Sequence, residues 1–123
     1  MAQDMLSIDV STVKDGAIQL FALAGSLDIA TSPSLRAALM EAADGDKHEI
    51  IVDLTQLEFL DSTGLGALIG AHKRAAEHGG SLRLVAQEGQ ILRLLRITGL
   101  LEVFEVYPSV EAALGDAPRL VGL

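Results

Sequence analysis

The chain has 123 residues, a formal net charge of −8 and a composition that is 50% hydrophobic but only 3% aromatic, with neither Trp nor Cys. This length predicts one domain with an aliphatic core, and the charge disfavours nucleic acid and anionic membranes while suiting a basic protein partner. The absence of Cys excludes disulfides and thiol chemistry, three scattered His make no zinc pattern, and so few aromatic residues argue against stacking of bases or sugars.

No part of the sequence has the properties of a secretion signal or a membrane span. Residues 1–6 lack the basic and apolar regions of a signal peptide. No apolar run approaches the ~20 residues that a membrane-spanning helix needs. We therefore expect a cytoplasmic protein that does not associate with a membrane.

The N-terminal half is predicted to form a hairpin, a helix and a buried strand. Alternation over residues 6–10 indicates a strand with one wet face, and a turn containing Asp15-Gly16 leads into a second strand over residues 18–25. A helix begins near Ser32, because the Pro that follows it is accepted in a first helical turn. The β-branched run at residues 50–54 predicts a third, buried strand.

The C-terminal half is predicted to alternate helices and strands. A helix starts at or beside Ser62, carries apolar residues at helical spacing and ends at Gly79-Gly80. We expect a strand at 82–85, a helix at 90–97, a short strand at 103–107 and one or two helical turns over 108–114. The tail from Gly115 to Leu123 has no periodicity, so we expect it to be partly loose.

This order of elements predicts a single α/β domain over residues 1–123. Its sheet should be mixed but mainly parallel, with four or five strands and about four helices packed against it. No internal repeat, linker or low-complexity segment divides the chain.

The segment Asp61-Ser62-Thr63-Gly64-Leu65-Gly66 is the main candidate for a functional site. It lies where the predicted third strand gives way to a helix, so Ser62 is expected at or beside the helix N-cap. The first backbone N–H groups of a helix lack partners and its dipole favours negative charge, so a phosphate on Ser62 would be held there. The simpler interpretation is that Ser62 or Thr63 only caps the helix.

Three blocks of the sequence resemble the STAS domain proteins, and within them the bacterial anti-sigma factor antagonists. The first is Leu23–Leu35, which contains Gly25-Ser26-Leu27-Asp28 followed by a helix start. The second runs from Val52 to Gly66 and contains the candidate segment. The third runs from Gly79 to Val85 and continues at Ile97–Leu100. The three blocks occur in the same order as in the family, and together they span nearly the whole chain.

The resemblance implies a phosphorylation switch in a binding protein without catalytic activity or a cofactor of its own. Ser62 would be the phosphorylated residue, and Asp28 would contribute to the interaction with the kinase. The unphosphorylated protein would bind an anti-sigma factor with ATP-dependent serine kinase activity and so free a sigma factor. Phosphorylation would release the kinase until a serine phosphatase restores the hydroxyl; ATP and Mg²⁺ would belong to the kinase.

Several residues around the candidate segment have structural interpretations as well. Asp28 either serves a partner or caps the following loop or helix, and Asp61 either orients the Ser62 hydroxyl or serves the turn. Gly64 and Gly66 permit either close approach of a partner, together with Leu65, or tight helix–strand packing. His72 lies on the apolar stripe of its helix, where a packed histidine is the common case.

Three other functions are alternatives to the phosphorylation switch. A serine enzyme lacks a base near Ser62, and Gly-x-Ser-x-Gly is absent. A response-regulator receiver would need an acidic pair after the first strand and a lysine after the last, and neither is present. A non-enzymatic STAS scaffold, in a signalling assembly or a lipid-transport complex, remains the alternative because it would share both fold and serine.

Overall fold

The computed structural model describes residues 5–46 and 49–115. The elements are β1 (Leu6–Val13), β2 (Ile18–Leu27), α1 (Ser32–Asp44), β3 (Glu49–Leu60), α2 (Ser62–Glu77), β4 (Ser81–Val85), α3 (Gln90–Ile97), β5 (Glu105–Tyr107) and α4 (Val110–Leu114). A short 3₁₀ helix, Leu100–Glu102, links α3 to β5. Except for Gly115, the tail that was predicted to be loose lies outside the described residues.

The sheet is mixed but mainly parallel, as the sequence predicts. Its strands lie in the order β1-β2-β3-β4-β5; β1 is antiparallel to β2, and the remaining neighbours are parallel. Successive residues of β3 belong to different hydrophobic clusters, Ile50 and Val52 to one and Ile51 to the other. Because successive strand residues point to opposite faces, the two clusters lie on opposite sides of the sheet. Helices α1, α2 and α3 contribute to the larger cluster and α4 to the smaller.

The hairpin between β1 and β2 has a loop of four residues, longer than the two of the tightest hairpins. Lys14, Asp15 and Gly16 have φ angles of 55°, 57° and 84°, which is the left-handed region. The Gly16 N–H closes the turn by donating to the Val13 carbonyl at 3.1 Å. The Asp-Gly signal therefore marks the right turn, inside a longer loop.

Strand β3 extends six residues beyond the predicted end at Leu54. It continues because β2 pairs with it as far as Leu27 opposite Leu60. Two irregularities of register, between Ala22 and Ala24 and between Gly25 and Ser26, interrupt the pairing. They break the apolar alternation that would have revealed the longer strand. The consequence is that β2 and β3 end side by side.

Glycine is required at position 25 because the backbone of Met5 approaches it closely. Its φ is 102°, and a Cβ at this position would lie 2.1 Å from the Met5 carbonyl oxygen. The neighbouring Ser26 N–H donates to that same oxygen at 2.9 Å. Only glycine fits both the backbone conformation and the space.

Gly64 and Gly66 lie two residues apart in α2, but their surroundings are opposite. A Cβ on Gly64 would lie 2.7 Å from both Leu27 Cγ and Leu60 Cδ1, so this glycine lets α2 pack closely on the ends of β2 and β3. A Cβ on Gly66 would meet nothing within 4 Å. The packing interpretation therefore holds for Gly64 and not for Gly66.

We predict opposite effects of alanine at these two positions. Gly64→Ala forces the helix away from Leu27 and Leu60 and should lower the free energy of unfolding by about 1–3 kcal/mol. Gly66→Ala removes an exposed helix-interior glycine without a clash and should raise it by up to about 1 kcal/mol. Urea denaturation of the two variants and the wild type measures both. Equal effects of the two substitutions would contradict this assignment.

Candidate functional site

The candidate site lies at the edge where β2 and β3 end and where α1 and α2 begin. Asp28 directly follows β2, and Asp61 directly follows β3. The Asp61 N–H donates to the Leu27 carbonyl at 3.2 Å, which joins the two strand ends. The carboxyl ends of parallel strands are where functional groups of open α/β sheets gather.

Asp61 is the N-cap of α2, and Ser62 is the first residue of the helix. The Asp61 Oδ1 accepts hydrogen bonds from the Thr63 N–H at 3.0 Å and the Gly64 N–H at 3.1 Å. These bonds satisfy two of the free N–H groups of the first turn. The interpretation that Ser62 or Thr63 caps the helix is therefore wrong, because the carboxylate of Asp61 already occupies that position.

Hydrogen bonds also keep Asp61 ionised. The Thr63 hydroxyl, which donates to Oδ1, is the largest of the influences that hold the pKa of Asp61 below its ordinary value of 3.8. Backbone N–H groups of Gly64, Thr63 and Ile29 act in the same direction. A carboxylate that accepts several hydrogen bonds is favoured in its charged form.

Ser62 is exposed, and its hydroxyl makes no hydrogen bond within the described ranges 5–46 and 49–115. Thr63 is exposed too, but its hydroxyl is engaged with Asp61. Of the two adjacent hydroxyls, that of Ser62 is therefore the one open to a protein that approaches this edge.

Asp28 shapes the loop that leads into α1. Its side chain is 9% exposed, and Oδ1 accepts from the Ala30 N–H at 2.9 Å and the Thr31 N–H at 3.1 Å. The Thr31 hydroxyl accepts from the Asp28 N–H at 2.9 Å and donates to the Ser26 carbonyl at 2.8 Å. The loop-capping interpretation of Asp28 matches this geometry, and the carboxylate has little surface left for a direct contact.

Two exposed apolar side chains lie near the ends of β2 and β3, at the same edge as the serine, and the sequence analysis missed both. Ile29 is 74% exposed in the loop after Asp28, and Phe59 is 50% exposed near the end of β3. Gly64 and Leu65 are buried, so a partner would meet Ser62, Thr63 and Gly66 instead. An isoleucine immediately after a turn-forming aspartate, outside any helical period, was the available signal for Ile29.

His72 is packed against the core, and the described residues include no cluster of metal-ligating side chains. Burial lowers the pKa of His72, whose ring packs against Phe104 with the centroids 5.3 Å apart. No group of three His, Cys, Asp or Glu in the described part of the chain is arranged to hold a metal ion. Among the helices described above, none is both long enough and apolar enough to cross a membrane.

The strand order, the helices and the paired helix starts define an α/β domain of the STAS type. The family model described as "STAS domain" matches residues 9–113, and the chain belongs to that family. The anti-sigma-B factor antagonist of Listeria monocytogenes is 32% identical over 101 residues, covering 82% of this chain and 88% of that protein. The anti-sigma F factor antagonist of Paenibacillus polymyxa is 33% identical over 95 residues, covering 76% and 81%.

A solved structure supports the same assignment. The crystal structure of an anti-sigma factor antagonist from Mycobacterium paratuberculosis superposes with a TM-score of 0.83 at 26% identity. The match covers 92% of this chain and 94% of that one. The predicted family and fold class are thereby confirmed, and the relatives are named for binding a regulator, not for catalysing a reaction.

We predict that removing the α2 cap lowers stability only where Asp61 is ionised. The pKa of Asp61 is lower in the folded protein than in the unfolded chain, so its contribution is present above about pH 3.8 and disappears as the pH falls through the folded value. Asp61→Ala should therefore lower Tm by a few degrees at pH 7 and by progressively less towards pH 2.

Thermal denaturation followed by circular dichroism across this pH range is the measurement. Asp9→Ala, which removes an exposed carboxylate from β1, is the matched control. A Tm difference for Asp61→Ala that stays constant down to pH 2 would contradict the capping role of the carboxylate.

Proposed function

We propose that this protein is an anti-sigma factor antagonist that is switched by phosphorylation of Ser62. In the unphosphorylated form it binds an anti-sigma factor with serine kinase activity, and a sigma factor is freed for transcription. The observation that carries the proposal is the free, exposed Ser62 hydroxyl at the start of α2. The anti-sigma factor antagonists among its relatives support it.

The proposed contact surface has an exposed part and a supporting part. Ser62, Thr63 and Gly66 are accessible, and Ile29 and Phe59 supply exposed apolar area at the same edge of the sheet. Apolar and aromatic anchors around a polar centre are typical of protein interfaces. The supporting part keeps the exposed residues in position through loop, cap and packing contacts, and it consists of Asp28, Asp61, Gly64 and Leu65.

Phosphorylation acts on this surface by charge. It adds about −1.5 to −2 charges and three acceptor oxygens at neutral pH. The ionised Asp61 immediately precedes Ser62, so the phosphate meets a like charge in its own protein and lies unpaired at the interface. The loss of ~3 kcal/mol of binding free energy weakens affinity more than a hundredfold. No rearrangement of the fold is needed for this effect.

The other components of the switch come from the partners. ATP and Mg²⁺ are bound by the kinase, a serine phosphatase restores the hydroxyl, and the antagonist itself catalyses no step. The cycle takes place in the cytoplasm, where sigma factors and their regulators meet.

We predict that Ser62 is the residue that the kinase modifies. Incubation with ATP, Mg²⁺ and a candidate anti-sigma kinase should add the mass of one phosphate, mapped to Ser62 by fragment mass spectrometry. Ser62→Ala should abolish it, whereas Ser34→Ala, at another exposed serine in a first helical turn, should not. If no candidate kinase that labels a known substrate modifies the wild type, the non-enzymatic scaffold becomes the better explanation.

We also predict that the phosphorylated protein binds the kinase more than a hundredfold more weakly than the unmodified protein. Surface plasmon resonance with ADP present measures the affinity without phosphoryl transfer. Ser62→Ala should bind like the unmodified wild type, because it keeps the surface uncharged. Equal affinity of the two forms would show that phosphorylation does not control binding.

A further inference from the structure

We propose that the contact surface continues from Ser62 along α2 as a cationic face that receives an acidic segment of the anti-sigma kinase. This inference rests on the proposed function. The face consists of Ser62, Gly66, Gly70 and Lys73 of α2, together with Arg36 of α1; we call it the Arg36 face. The partner would contribute carboxylate side chains at the point of contact.

The α2 residues of the Arg36 face lie on one side of the helix. Their spacings of four, four and three residues place them in a single row that begins at the switch serine. Ser62, Gly66 and Lys73 are exposed and Gly70 is half-buried. The buried side of α2, which includes Leu68 and Ala71, points the other way into the core.

Arg36 reaches over this row from the neighbouring helix. A Cβ built on Gly70 would lie 3.6 Å from Arg36 Nη1 and 3.2 Å from Met40 Cε. The guanidinium therefore lies beside the α2 backbone at Gly70, two turns from Ser62.

The charges of the Arg36 face are uncompensated. Among the residues that the structure describes, neither Arg36 nor Lys73 makes an ion pair or a side-chain hydrogen bond. Three other arginines do, each with a carboxylate: Arg74 with Asp44, Arg83 with Glu49 and Arg96 with Glu88. Two unpaired cations, two and three turns along α2 from the switch residue, are complementary to an acidic partner surface although the chain has a net charge of −8.

The glycine at position 66 also supports the inference, because no packing contact requires a glycine there. Glycine in a helix interior is less stable than alanine, and at this position no neighbour lies within 4 Å of a Cβ. On the Arg36 face a bare backbone at Gly66 lets a partner segment approach closely, between the serine hydroxyl and the guanidinium.

The acidic partner segment also accounts for the direction of the switch. Electrostatic effects between exposed groups are local, with a Debye length of about 8 Å at physiological salt. A phosphate on Ser62 would stand at the head of the Arg36 face, two turns from the Arg36 guanidinium. It would repel a partner carboxylate that reaches Gly66, between the serine and the guanidinium.

Charge reversal at Arg36 tests the inference. Arg36→Glu should weaken binding of the unphosphorylated protein to the kinase about tenfold, and Lys73→Glu by a smaller factor, because attraction is replaced by repulsion. Arg93→Glu, at an exposed arginine of α3, makes the same change in net charge and should leave the affinity within about twofold. Surface plasmon resonance with ADP present is the measurement, with matching Tm values as evidence that each variant is folded.

Salt dependence provides a second measurement. Affinity of the wild type should fall as ionic strength rises, and it should fall less steeply for Arg36→Glu than for Arg93→Glu. Equal affinities of these two variants would overturn the inference while leaving the proposed function intact. A dimer of the wild type that Arg36→Glu abolishes would assign the face to a second copy and overturn it as well. Failure of the wild type to bind or be phosphorylated would contradict the proposed function itself, and the inference with it.

Discussion

The geometry of the site depends on how Asp61 ends one strand and begins one helix. Its backbone N–H holds the end of β3 against Leu27 at the end of β2, and its carboxylate accepts the first N–H groups of α2. Gly64 then allows the helix to lie directly on Leu27 and Leu60. The end of the strand, the helix cap and the packing contact all lie within residues 61–64. They therefore fix the position of Ser62 relative to the sheet.

The two carboxylates at this edge have structural roles. Oδ1 of Asp61 and Oδ1 of Asp28 each accept hydrogen bonds from local N–H groups, which shape the start of α2 and the loop into α1. Ser62 is exposed at the start of a capped helix, and Ile29 and Phe59 are exposed at the same edge of the sheet. An exposed hydroxyl is accessible to another protein's active site. In the proposed switch, a single phosphate would change this surface without a change of fold.

The sequence predicted the larger features well because they follow from local rules. The start of α2 beside Ser62 and the bounds of α3 at Gln90–Ile97 were predicted correctly, since helical periodicity and boundary residues are visible over a few positions. The mixed, mainly parallel sheet followed from the order of elements. The length of β3 was wrong, because its last residues are held by irregular pairing with β2 that leaves no alternating pattern. Strand β5 is shorter than expected because the 3₁₀ helix and the turn after it occupy the chain up to Phe104.

By itself the sequence determined the fold class, the family and the location of the candidate segment, because each is encoded in contiguous residues. Only the tertiary structure decided which side chain caps α2, which of two glycines is needed for packing, and which hydroxyl remains free. It also brought Arg36 to Gly70 and left Ile29 and Phe59 exposed at the edge where the serine lies. These relations join residues far apart in the chain, and they depend on distances between packed elements that no local pattern records.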